Sequence, residues 1–212
     1  MKNGASYKTY SHPDMSPKLS GGTNAEGAIM STAISDGMVF DDGTPESEIN
    51  LKVAEYLRDA LLDFGYNVLM IREDENSRLD NIARTILANN HSDIHVSIHF
   101  DSTDSDKGMF VILPIEDEAY LSMEPVKSNY KKINELGDTF IEAFRENGEK
   151  VWNDGKMLMD LTQISYSTIP SVDLELGDKA TDTSEWKLKT FVPCIVYGIE
   201  KYYHNNNSIS KR

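Results

Sequence analysis

The sequence predicts one α/β domain built on a twisted, mostly parallel sheet of about six strands with helices on both faces. Three observations lead there. Short segments with period-two alternation, rich in Val and Ile, take turns with longer segments whose apolar residues recur at helical spacing, the pattern of βαβ units. The best-marked strand, residues 93–101, alternates Ile94, Val96 and Ile98 with His95, Ser97 and His99, then meets a polar run over 101–107. The 212 residues also contain neither an internal repeat nor a linker, and at this length a single domain buries a substantial core.

Residues 7–10 suit a short first strand leading into Ser11-His12-Pro13. From 14 to 45 the chain is rich in Gly, Ser, Thr and Asp without sustained periodicity, and so long a loop inside a domain is usually functional or poorly ordered. A helix resumes at Pro45-Glu46-Ser47, carries Ile49, Val53, Leu57, Ala60, Leu61 and Phe64 on one face, and stops at Gly65. Residues 66–71 read as a strand. Residues 78–90 read as a helix with Leu79, Ile82, Ile86 and Leu87 inward, and it feeds the central strand. A strand over 108–113 follows, then a helix over 129–147 through Ile133, Leu136, Phe140, Ile141 and Phe144, and short strands at 157–161 and 170–176. The last helix is expected to begin afresh at Pro193, where proline suits a first turn, and to run to about Tyr203. On this reading residues 1–204 form one domain and 205–212 a polar C-terminal tail.

Charge is ordinary in amount but lopsided in sign, with 35 acids against 21 bases and a net −14. That balance argues against nucleic acid as a partner and against a wall or membrane contact driven by basic patches. The single cysteine, Cys194, excludes an intrachain disulfide framework and a cysteine-based zinc cluster, and reads as a buried small hydrophobe. No apolar run approaches the length of a membrane span, and residues 1–11 lack the apolar core of a signal peptide. A cytoplasmic protein, a phage protein released by lysis and a secreted protein without its leader all fit. Oligomeric state has no signature here.

Four residues draw attention as chemistry. His99 falls near the carboxyl end of the central strand, where open α/β sheets place their sites, although a strand-end histidine also serves as an ordinary hydrogen-bonding group. A catalytic zinc commonly takes three nitrogen or oxygen ligands and leaves a fourth position for water. His12 after the first strand, Glu46 at a helix start and His99 could supply them if the sheet is parallel, but ligands from distant elements have no local signature. Glu48 competes with Glu46, since an acid in a first helical turn often answers only the helix dipole. Glu175, between Leu174 and Leu176, would be a partly buried carboxylate whose pKa desolvation raises toward that of a general base. Asp173 shares its face. His95 is excluded as a co-ligand of His99, because four strand residues separate them by about 13 Å; it reads as a core or surface-face histidine. His91 and His204 lie at a helix end and near the tail.

The order of several fragments resembles the zinc-dependent N-acetylmuramoyl-L-alanine amidases of the amidase-3 type. These are residues 46–54, ESEINLKVA; 65–72, GYNVLMIR; Arg84 with Ala88-Asn89; Asp93 and Val96-Ser97-Ile98-His99; Asp160-Leu161-Thr162; Ser167; and 170–177, PSVDLELG. The resemblance covers most of the chain from about Lys18 to Tyr203. It implies an α/β domain, an exposed Zn2+ held by His12, Glu46 and His99, and Glu175 as the catalytic glutamate. The implied partner is peptidoglycan, both glycan strand and stem peptide, and the implied location is extracytoplasmic, at the cell wall. The family's Asp-Pro-Gly-His turn reads Thr9-Tyr10-Ser11-His12-Pro13 here. Asp173 and Asp178 stand where members carry apolar residues, and Ile71 replaces a threonine.

The implied reaction is hydrolysis of the amide between N-acetylmuramic acid and L-alanine, with Glu175 as proton carrier. A zinc peptidase acting on the stem peptide, or a binding homologue without catalysis, would use the same fold. An acidic chain meeting an anionic polymer needs something other than general charge attraction.

Overall fold

The computed structural model describes residues 7–74 and 77–206. The elements run β1 Lys8–Tyr10, β2 Met30–Thr32, α1 Glu46–Asp63, α2 Asn81–His91, β3 His95–Asp101 and β4 Met109–Pro114. They continue with α3 Glu118–Ser122, α4 Val126–Glu146, β5 Val151–Met159, α5 Thr162–Tyr166, β6 Ser171–Asp178 and α6 Glu185–Asn205. This is the expected α/β domain, with its sheet corrected. β3, β6, β4 and β5 lie side by side in that order, with β3–β6 and β4–β5 parallel and β4–β6 antiparallel, so the sheet is mixed. β1 and β2 make a separate antiparallel pair.

Residues 66–71 do not become a strand. Leu69, Met70 and Ile71 instead line a cleft together with residues 94–99 of β3 and its approach, and they pair with no strand. The first strand matches expectation, but its place beside β2, against Asn81 of α2, keeps it out of the main sheet. α6 starts at Glu185, capped by Ser184 accepting from the Lys187 amide, and Pro193 lies inside it. The helix reaches Asn205, and 207–212 of the expected tail lie outside the described residues.

α1, α4 and α6 cover the sheet. Val53 and Leu57 of α1, Ile133, Phe140 and Phe144 of α4, and Phe191 and Ile195 of α6 meet Phe110, Val172 and Leu174 of the strands in one core. Gly137 lets α4 sit on β4, since a Cβ there would stand 2.5 Å from Leu113 Cδ2. Cys194 is buried, as its composition predicts. Among the described residues no helix is long and apolar enough to cross a membrane.

Candidate active site

The parallel pairing of β3 with β6 sets Ser97 opposite Asp173 and His99 opposite Glu175. Since side chains alternate along a strand, these four share one face of the sheet. The N-terminus of α1 arrives over the same face and delivers Glu46, whose burial follows from its place on the apolar stripe with Ile49, Val53, Leu57 and Leu61. Glu48 points outward to Lys52, so the two acids of the first turn are separated by helical phase. Gly37, at φ +78°, leaves room for the Glu46 carboxylate, into which any Cβ would run.

Glu46 is closely held. Its Oε1 lies 2.9 Å from His99 Nδ1 and accepts from Asn50 Nδ2 at 3.0 Å and the Phe100 amide at 3.2 Å, while Oε2 accepts from the Met38 amide at 2.8 Å. Burial alone would raise its pKa, but the His99, Asn50 and Met38 bonds bring it down to about 2. Its neighbours are in the opposite state. Burial first, and then the charge of Glu46, raise Asp173 above its ordinary value, and burial followed by the charges of Asp173 and Glu46 raises Glu175 well above its own. Asp173 Oδ1 and Glu175 Oε2 are buried without a hydrogen-bond partner among the described residues. Against the burial that would lower it, Asp173, Glu46 and Glu175 raise the His99 pKa to about 10.

Three acids thus crowd one imidazole, and the cluster asks for a cation. Imidazole nitrogen and carboxylate oxygen are zinc's usual ligands in thiolate-free sites. The donors and charge therefore fit the ion, with Glu46 and His99 as the adjacent pair. Among the described residues no three His, Cys, Asp or Glu side chains close into a full coordination cluster.

His12 sits elsewhere. It is buried against the Tyr120 ring, with Nδ1 2.8 Å from Ser16 Oγ and Nε2 3.0 Å from Asp160 Oδ2, the second a close approach off the hydrogen-bond line. Fully buried Asp160 also accepts from Lys18 Nζ at 2.9 Å, from the Leu19 amide at 2.6 Å and from the amide and hydroxyl of Ser20. Burial would push Asp160 up, but His12, Ser20, Leu19 and Lys18 hold it far below the usual carboxylate range. This clasp folds residues 11–28 onto the end of β5. The expectation that His12 converges with His99 assumed β1 within the parallel sheet, and β1 is not there.

His95 is buried and hydrogen-bonded to Ser171 Oγ, 3.2 Å away, as a core histidine. Asp178 is a loop anchor. It is fully buried and accepts from the amides of Ser105 at 3.1 Å and Lys107 at 3.2 Å, which pins the turn beyond β3. The Lys18–Asp160 pairing was missed from sequence, where a lone lysine in a Gly/Ser-rich loop gives no sign of its partner 142 positions on.

Glu46 and His99 open into a cleft of about 320 Å³, which Arg72, Arg78 and Arg84 also line. In a chain of net charge −14 this is a local concentration of cationic groups beside the carboxylates.

The Amidase_3 family, described as N-acetylmuramoyl-L-alanine amidase, matches residues 20–192. The match starts beyond His12, so it covers Glu46, His99 and Glu175 and leaves His12 out. Among solved structures the fold is similar to the N-acetylmuramyl-L-alanine amidase Ami1 from Mycobacterium smegmatis, with TM-score 0.72 and 19% identity over 91% of each chain. It is also similar to the CwlD amidase from Clostridioides difficile, in complex with the GerS lipoprotein, with TM-score 0.62 and 23% identity over 80% of this chain and 92% of that one. No curated protein matches the chain in sequence. With the family match spanning most of the domain and every element of the acid–histidine cluster, the chain belongs to the N-acetylmuramoyl-L-alanine amidases of the Amidase_3 family.

Proposed function

We propose that the chain hydrolyses the amide between N-acetylmuramic acid and L-alanine of peptidoglycan, using Zn2+ held by Glu46 and His99 and Glu175 as proton carrier. The observation that supports this most is the convergence on His99 of buried Glu46 and Asp173 and half-buried Glu175, the last two each with a partnerless oxygen among the described residues. A zinc ion at Glu46 and His99 would polarise the scissile carbonyl and make the attacking water more acidic.

The protein's own groups do the rest. Glu175, made a stronger base than an ordinary carboxylate by burial and by Asp173, is placed to take a proton from water and return it to the departing alanine nitrogen. Glu46, fixed by the Met38 and Phe100 amides and by Asn50, keeps the adjacent His99 ring in one orientation. The arginines of the cleft suit carboxylates of a stem peptide, and Arg72 is already fixed by its 2.6 Å bond to the Ser47 carbonyl. This local positive charge meets the substrate where the chain's overall charge would repel it. With peptidoglycan as its substrate, the protein would work outside the cytoplasmic membrane, at the cell wall.

Mass spectrometry of products from purified peptidoglycan, with and without a chelator, tests the proposal. Stem peptides with a free L-alanine amino end, lost on chelation, are expected. Cleavage within the stem peptide would move the assignment to a peptidase, and chelator-insensitive release would remove the metal.

A further inference from the structure

Asp173 lies where a buried carboxylate is costly and where its nearest neighbours offer it little. Its side chain is 12% exposed and its Oδ1 has no partner among the described residues. The hydroxyl of Ser97, directly across the ladder, is spent on Gln163 Oε1 at 2.6 Å. Gln163 in turn donates to Ser171 Oγ and the Val172 carbonyl, so this network closes without Asp173. Arg84, the arginine whose charge bears on Asp173, approaches from the cleft side but makes no ion pair with it within 4 Å.

What Asp173 does face is the far edge of the His99 ring. Its Oδ2 is 3.8 Å from Nε2, while Glu46 Oε1 is 2.9 Å from Nδ1. The imidazole is therefore bracketed by carboxylates at both nitrogens, each from a different element. At 3.8 Å the Asp173 contact is ionic and not yet a hydrogen bond. A histidine that gives one nitrogen to a metal has only its other N–H left to donate, and a carboxylate there fixes both tautomer and ring orientation and makes the ligand more basic.

We propose that Asp173 is a positioning residue for the metal site: it accepts the Nε2–H of His99, closing to hydrogen-bond distance when Nδ1 and Glu46 hold zinc. The inference rests on the reading of Glu46 and His99 as zinc ligands. It gives a role to the acid that stands two residues before Glu175 on the site-facing side of β6. Without the ion Asp173 is a burden, and with it Asp173 completes a carboxylate–histidine–metal relay.

The test compares the full chain with Asp173→Asn and Asp173→Leu. Zinc affinity is measured by competition with a chromogenic chelator, and metal-free thermal stability is measured in parallel. Asparagine still accepts the N–H but lacks the charge, so about tenfold weaker binding is expected, rising to about a hundredfold with leucine. In the zinc-loaded wild type, 15N NMR should show His99 protonated at Nε2 alone, a signature that broadens or shifts in Asp173→Leu. The metal-free leucine variant should melt no lower than wild type, since it loses a buried carboxylate without a partner. Unchanged zinc affinity in both variants would overturn the positioning role while leaving Glu46 and His99 as ligands. A wild-type chain that does not bind zinc would overturn the ligand assignment and this inference together. A leucine variant that loses zinc only in proportion to a lost fold would also refute it, and the isosteric asparagine variant separates that case.

Discussion

Replacing His12 by alanine separates two roles for that residue, zinc ligand and loop clasp, because they predict opposite losses. In the structure the ring packs on Tyr120 with 5.3 Å between centroids, and its nitrogens meet Ser16 and Asp160. Asp160 would keep Lys18, Leu19 and Ser20 after the substitution, so its charge stays compensated. The cost is then one hydrogen bond to Ser16, a misaligned polar contact to Asp160 and a small cavity, together about 2–4 kcal/mol. For a domain of this size that lowers the melting temperature by about 4–16 °C. Zinc content after dialysis, measured by elemental mass spectrometry, should stay within twofold of wild type, since the ion depends on Glu46 and His99. Asp160→Asn sharpens the comparison. It leaves buried Lys18 without its counter-charge, which costs about 3–5 kcal/mol, and again should spare the zinc. A His12→Ala variant that melts like wild type but holds no zinc would refute the clasp and restore His12 as a ligand.

Glu46→Ala and His99→Ala should each bring zinc stoichiometry close to zero in the same elemental assay, and retention of a full equivalent by either would remove that residue from the ligand set. Glu175→Gln should keep zinc and fold while lowering kcat about 10²–10⁴-fold, and wild-type turnover would refute its role as base. Buried His95 has its pKa lowered to about 4, first by desolvation and then by the charge of Arg84. The unfolded chain then binds the proton first, so the contribution is complete above pH 6.5 and lost as pH falls toward 4. Urea titrations should show about 2–3 kcal/mol of this loss between pH 7 and 4.5, absent in His95→Gln. An identical pH dependence in wild type and variant would contradict a neutral buried His95.

What the sequence made legible follows from how each feature is encoded. The alternation of Ile94, Val96 and Ile98 with Ser97 and His99 is a local pattern, and β3 appears where it predicts, with His99 and Glu175 brought opposite each other by the parallel β3–β6 register. Glu46 could be told from Glu48 only by helical phase, which the apolar stripe from Ile49 to Leu61 settles once α1 is known to start at Glu46. Strand direction has no such local trace. The short connection from β3 to β4 crosses over β6 and sets β4 antiparallel to it, and the periodicity of β4 is the same in either sense. The segment at 66–71 shows a related failure, because an extended apolar stretch becomes a strand only when an edge is within reach, and here the cleft intervenes. The place of His12, in the Asp160 clasp and away from the His99 pair, has a cause in topology. A ligand's place depends on which sheet its strand joins, and β1 pairs with β2 through contacts between residues 20–24 positions apart that no spacing rule records. The site is therefore legible where chemistry sits on locally encoded strands and helices. It becomes illegible where a loop must be carried to it, and for that reason the metal should be sought first at Glu46 and His99.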